Sequence, residues 1–349
     1  MKKSFGWENA IRSEFGVQIK PNNLKRNLLE MSDLIFCNSR IDFTKLTLFL
    51  LKKIRRQDGK LYSYFRHFIT RALPFDPLSG SQPSPINISL LVAKKDLEIL
   101  PYSLAACIEA IVNPILKIRI VCPENILNLV LEKVAELKFP TDLNLNVTTD
   151  ESILSNGGLH EFSFSSSVSK METLKLVIGY LDPGFNLIID ADTLLLRQRN
   201  WCSEKTQISP VGQEYFVNHN IFVDELIHFS KWSGLGFVTH HGLFHSSVVK
   251  EIINRCGGLT HTAFLIDNGI KVGWEYKLGF PSEWQLYGEY CYSLSSQISL
   301  LPASFINLGI SRSILPIDEN CTFADCVKLL TQIKKSAPTL GSLSLHAYK

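Results

Sequence analysis

Between residues 86 and 190 the chain switches repeatedly between β-rich apolar runs and helix-like stretches, and this alternation limits the available folds more than any other feature. "INISLLVA" (86–93), "LKIRIVC" (116–122), "LNLNVTTD" (143–150) and "FNLIID" (185–190) read as strands. Between them, "DLEILPYSLAACIEAIV" (96–112), "PENILNLVLEKVAELK" (123–138) and "SKMETLKLVIGYL" (169–181) read as helices, the second opened by a proline. Strands separated by helices must run parallel, and a parallel sheet needs helices on both faces. The expected fold class is therefore α/β, with a mostly parallel sheet flanked by helices.

The fourth strand continues into "NLIIDADTLLL" (186–196), which places Asp190 and Asp192 where the apolar run ends. Ionised carboxylates are costly to bury, but ligands of open α/β sheets bind beyond the carboxyl ends of the strands. The pair is thus expected in a crevice. Residues two apart on an extended segment point the same way, so both carboxylates can face one ion. Oxygen ligands suit Mg²⁺ or Mn²⁺. A cation between Asp-x-Asp and a diphosphate would stabilise the charge on a departing nucleoside diphosphate. The plainer alternative is a polar exit from the strand in which aspartate caps a turn.

Two later segments carry further candidates. "GFVTHHGLFHSSVV" (236–249) sets three histidines in an apolar, strand-like run, and neutral imidazole can complete an oxygen-rich metal shell. His241 is preferred to His240; each could equally be an ordinary hydrogen-bonded histidine. "PSEWQLYGEY" (281–290) begins as a helix does and puts Glu283 in the first turn. There it is either a general base for an acceptor hydroxyl or simply a favourable charge at a helix start. Trp284 and Tyr287 are sugar-stacking groups or core aromatics, and Trp274 leans to the core.

The amino-terminal part differs in character. Residues 1–75 hold 15 Lys and Arg against 6 Asp and Glu, a local +9, within a chain of 349 residues whose net charge is +3. "DFTKLTLFLLKKIRRQ" (42–57) and "KLYSYFRHFITRAL" (60–73) read as amphipathic helices. They suit either packing with solvated basic faces or peripheral contact with an anionic membrane. The Pro- and Ser-rich "PFDPLSGSQPSP" (74–85) reads as a linker. The expected division is a basic helical segment 1–75, a linker 76–85 and the α/β domain 86–349. No run approaches the roughly 18 apolar residues of a membrane span, and "MKKSFGWENA" has charges where a signal peptide would be apolar, so a cytoplasmic location is expected. The 8 cysteines form no C-x-x-C pair and are read as free thiols, mostly filling the core.

Taken in order, "ISLLVAKKD", "LKLVIGYLDPGFNLIIDADTLLLR", "GFVTHHGLF" and "PSEWQLYGEY" resemble the GT-A-fold nucleotide-sugar glycosyltransferases, over roughly residues 86–310. The likeness is closest to a bacterial group with Thr-His-His and Ser-Glu-x-x-x-Tyr-Gly segments. The resemblance implies transfer of a sugar from a UDP- or GDP-sugar to a hydroxyl acceptor, with Mn²⁺ or Mg²⁺ as cofactor. The acceptor would be a glycan or its lipid-linked precursor in cell-surface synthesis. It further implies that Asp190 and Asp192 serve the metal, with Asp190 nearer the ribose, and that Lys95, Asp96 and Lys175 contact the donor. A later histidine, here His241, would be a further metal ligand. The His-x-x-Gly-x-x-Lys segment of one retaining branch does not occur, so neither retention nor inversion is implied.

Three rivals carry less weight. A haloacid-dehalogenase-type phosphotransferase wants Thr or Val where Leu194 stands and a second aspartate pair later in the chain. A non-catalytic binding protein on the same scaffold would normally have lost the carboxylates. A nucleic-acid binder is suggested only by the basic segment, whose aromatics line helix faces rather than a stacking platform.

Overall fold

The computed structural model describes residues 78–137, 143–212, 217–227, 233, 235–275, 281–305, 307–311, 322–336 and 340–346. The basic segment 1–75, with its expected membrane contact, lies outside the described residues. In chain order the elements are β1 (Ile86–Leu91), α1 (Leu100–Ala110), β2 (Ile115–Cys122), α2 (Leu127–Glu136), β3 (Leu145–Thr149), α3 (Asp150–Asn156), α4 (Ser167–Leu181) and β4 (Phe185–Asp190). They continue with β5 (Thr193–Leu195), β6 (Cys202–Ser203), β7 (Thr206–Val211), α5 (Val217–Ile227), β8 (His241–His245), α6 (Ser246–Arg255) and α7 (Leu259–Glu275). The last are α8 (Glu283–Ser293), β9 (Ser299–Ser304), β10 (Asn307–Ser311), α9 (Phe323–Ser336) and β11 (Ser342–His346).

The central sheet has the order β3-β2-β1-β4-β8. Pairings β2–β3, β1–β2 and β1–β4 are parallel, as the alternation requires, while β8 closes the sheet antiparallel to β4. Every residue of β1 is buried, the composition of a strand covered on both faces. α4 packs on β4 and against α3, α6, α7 and α8, whereas α1 packs with α9. Leu174, Leu176, Val177 and Ile178 of α4 are buried, and each such side chain contributes about 1.5–3 kcal/mol. The buried thiols Cys107, Cys122, Cys202, Cys256, Cys291 and Cys326 are free, as the sequence suggested. Among the described residues no helix is long and apolar enough to cross a membrane.

Three differences from the sequence expectations bear on the site. The Pro- and Ser-rich stretch is tied to the α/β domain by Ser81, whose carbonyl accepts from Asn200, and by Ser84, whose N–H donates to the Cys202 carbonyl. The apolar run 236–249 is not one strand: β8 begins only at His241 and gives way to α6 at Ser246. β4 ends at Asp190 as expected, but residues 191–192 turn before β5 begins, so the extended segment on which the two carboxylates were expected to point the same way does not continue past Asp190.

That turn is held from three sides. Ala191 N–H donates to the Leu91 carbonyl, the Ser103 hydroxyl donates to the Ala191 carbonyl, and Leu345 N–H donates to the Asp192 carbonyl at 2.7 Å. The last bond extends the antiparallel pairing of β11 with β5. A strand near the end of the chain thus fixes a turn in its middle.

α8 sets its Trp284 ring against Gly242 of β8. A Cβ on Gly242 would lie 2.7 Å from the Trp284 ring. Gly242→Ala is accordingly expected to push α8 away and lower stability by about 1–3 kcal/mol, measured as a shift in the urea unfolding midpoint.

Candidate functional site

Side chains from five segments meet at the carboxyl edge of the central sheet. Register places Leu91 of β1 beside Asp190 of β4. The chain leaving β1 makes a short helical turn, Lys94–Asp96, in which the Asp96 carboxylate accepts from Ala93 N–H at 3.2 Å. Lys95, 57% exposed, lies 3.4 Å from Asp96 and 3.7 Å from Asp192. Such exposed contacts contribute little.

Lys175 sits at the centre. Only 5% exposed, its Nζ lies 2.7 Å from Glu283 Oε1, 3.3 Å from Asp190 Oδ1 and 3.8 Å from Glu172 Oε1. It also lies 4.8 Å from the centre of the Trp284 ring. Burial works against an ammonium, but Asp190 and Glu172 more than offset it and hold the Lys175 pKa above its ordinary value. The charge is retained. Burial likewise opposes the Asp190 carboxylate, yet Lys175 and His240 keep its pKa well below the usual carboxylate range.

Its partner is in the opposite situation. The Asp192 carboxyl is pushed up by burial, then by the neighbouring charges of Asp190 and Asp96, against only partial relief from Lys95. Crowded oxygen ligands of this kind favour a hard cation. Among the described residues no three His, Cys, Asp or Glu side chains form a ready-made cation cage. The Asp190 and Asp192 carboxylates are hard oxygen donors of the kind Mg²⁺ and Mn²⁺ accept, ions that usually keep water and phosphate oxygens in the rest of their shell.

Glu172, on α4 three residues before Lys175, escaped the sequence reading. Its carboxylate accepts the N–H of Glu283 at 3.2 Å and so holds the start of α8, where Ser282 makes no side-chain cap. Burial pushes its pKa up to about 7, against the pull of Lys175. The i, i+3 spacing to Lys175 in "METLK" was the available signal.

Glu283 is brought to the cluster but not to its surface. Its side chain is fully buried against Lys175, so what it presents is a counter-charge for that lysine rather than an open face for an acceptor hydroxyl. Trp284 and Tyr287 resolve as core aromatics. Trp284 packs on Phe244, and Tyr287 stacks on Phe244 while its hydroxyl donates to Gln207 and accepts from His245 N–H. The Trp274 side chain lies outside the described residues.

The two adjacent histidines diverge. His240 Nδ1 lies 3.3 Å from Asp190 Oδ2. His241, preferred from sequence, is instead fully buried between Trp201 and Phe305, with Nδ1 2.6 Å from the Thr239 carbonyl. The physical reason is register: His241 pairs with Ile189, so its side chain takes the face of the sheet opposite to that of Asp190. Burial drops the His241 pKa to about 3.

No family profile matches the chain, and a search of curated proteins gives no match. Among solved structures the chain is similar to mouse xyloside xylosyltransferase 1 in its apo form, at 8% identity, 66% coverage of this chain and 89% of that one, and a TM-score of 0.40. It is also similar to the galactosyltransferase LgtC in complex with donor and acceptor sugar analogues, at 10% identity, 74% and 86% coverage, and a TM-score of 0.39. The functional reading rests on the residues of the crevice, not on these likenesses.

His241 gives the site region a pH signature. Below its ordinary value of 6.5 the unfolded chain takes up a proton that the fold refuses until about pH 3. Stability is therefore lost as pH falls through that window, by about 1.4 kcal/mol per unit well below 6.5. His241→Phe is expected to remove that share of the slope in urea unfolding measured from pH 7 to pH 5.

Proposed function

We propose that the chain is a glycosyltransferase that moves a sugar from a nucleotide-diphosphate sugar, a UDP- or GDP-sugar, to a hydroxyl acceptor on a glycan or its lipid-linked precursor. One observation carries this reading: an ionised Asp190 and a charge-crowded Asp192 stand together at the carboxyl edge of a parallel sheet, the edge at which such sheets bind nucleotides.

In this reading Asp190 and Asp192 hold Mn²⁺ or Mg²⁺ together with the donor's diphosphate. When bound, the cation supplies positive charge where negative charge develops on the departing nucleoside diphosphate. The acceptor oxygen forms a bond to the anomeric carbon as the bond to the diphosphate oxygen breaks; the bonding pair leaves with the nucleotide, and the acceptor's hydroxyl proton passes to water.

The protein's own groups have separate tasks. Lys95, exposed at the rim beside Asp192, places a positive charge where the donor's phosphates would lie, and Asp96 lies where the chain leaves β1. Lys175 keeps Asp190 charged and in place before the donor arrives, and Glu283 and Trp284 hold Lys175. Such preorganisation is the usual source of electrostatic rate enhancement.

Calorimetric titration of UDP and GDP into the protein tests the reading. With Mn²⁺ one nucleotide is expected to bind, and binding should vanish on chelation and in Asp192→Ala. Metal-independent binding, or unchanged affinity in Asp192→Ala, would refute the assigned role of the aspartates.

A further inference from the structure

We propose that His240 is a positioning residue: it grips Asp190 through both its backbone and its ring, and fixes that carboxylate for the cation and diphosphate. The proposal rests on the nucleotide-sugar reading above. It concerns a residue whose neighbour, His241, has the stronger claim from sequence.

The first observation is conformational. Among the described residues His240 is the one non-glycine residue with a positive φ, 59°. In that left-handed region a side chain's Cβ crowds the following carbonyl oxygen, and glycine or asparagine is more at ease. Gly242 stands two residues later, so the segment has a glycine, but not where the backbone demands one. Non-glycine residues kept in such conformations cluster at functional sites, and the inference runs from the outlier to its use.

The second observation shows the use. The His240 carbonyl accepts from Asp190 N–H at 2.9 Å, while its Nδ1 lies 3.3 Å from Asp190 Oδ2. In the Nδ1–H tautomer the ring donates to that oxygen. One residue thus delivers two bonds to one aspartate. The remaining carboxylate oxygen, Oδ1, faces Lys175 at 3.3 Å. Asp190 is therefore gripped on both oxygens and at its backbone.

The third observation is exposure. The His240 and Asp190 side chains are 25% and 23% exposed, against 5% for Lys175. The histidine belongs to the open side of the cluster and the lysine to its floor. Hydrogen-bond partners that orient a metal-binding group typically govern affinity by about 10–100-fold.

The test uses the full chain, with Mn²⁺ and UDP or GDP as probes. Free Mn²⁺ is followed by electron paramagnetic resonance and nucleotide by calorimetry, and thermal unfolding is recorded without metal. His240→Gly is expected to weaken Mn²⁺ binding by about tenfold or more, yet to melt above His240→Ala, because both lack the ring and only alanine keeps the strain. His240→Asn, which tolerates the left-handed backbone and offers an amide N–H, should recover most of the Mn²⁺ affinity.

Wild-type affinity in His240→Gly would overturn the proposal, as would a His240→Asn variant that binds no better than His240→Gly. Melting of His240→Gly below His240→Ala would also overturn it, by showing that the left-handed backbone is not held. A wild-type chain that binds neither Mn²⁺ nor either nucleotide would overturn the nucleotide-sugar reading together with this proposal. That outcome is distinct from one in which the wild type binds and the variants are indifferent.

Discussion

A buried ammonium surrounded by carboxylates sets the terms for the rest of this structure. Lys175 has almost no access to water, and an isolated charge in that position would be prohibitively costly. It survives because Glu283, Asp190 and Glu172 approach it from different elements, with the Trp284 face beside them. The dependence is mutual: without Lys175, Asp190 and Glu283 would be buried anions with little to offset them. Removing one member of such a cluster is far more damaging than its net contribution suggests.

This constraint explains why elements far apart in sequence must meet accurately. α4 supplies Lys175 and Glu172, β4 supplies Asp190, and α8 supplies Glu283 and Trp284. α8 can approach only because Gly242 leaves room for the tryptophan ring. The turn carrying Asp192 is fixed in turn by β1, α1 and β11. Lys175 sits directly against Asp190, whereas Asp192 is pushed up by burial and by the charges of Asp190 and Asp96, with partial relief from Lys95 and His240. That crowding lies at the edge where a parallel sheet binds ligands.

Much of this was legible in the sequence, for identifiable reasons. Strand positions followed from short β-rich runs bounded by turn residues, and the parallel order followed from the helices between them. Asp190 was readable because an apolar strand ended in a carboxylate; Lys175 came only from the resemblance, as a donor contact, and its burial against Asp190 and Glu283 was not read. What escaped depended on register or on distant pairing. His241 and His240 are adjacent, and only the antiparallel pairing with β4 shows which one faces Asp190. Glu283 was correctly placed at a helix start, but its burial depends on α4 packing against α8, which no local pattern encodes. The bond from Leu345 to Asp192 joins residues too far apart for any local signal to connect.

The most direct measurement is a double-mutant cycle on unfolding free energy with Lys175→Met, Glu283→Gln and the pair together. The lysine substitution alone is expected to cost about 3–5 kcal/mol, because it leaves buried carboxylates without their cation. The two losses should overlap, with a coupling energy on the order of 2 kcal/mol. Strictly additive losses, or a Lys175→Met variant as stable as the parent chain, would contradict the view that this buried charge cluster holds the crevice together.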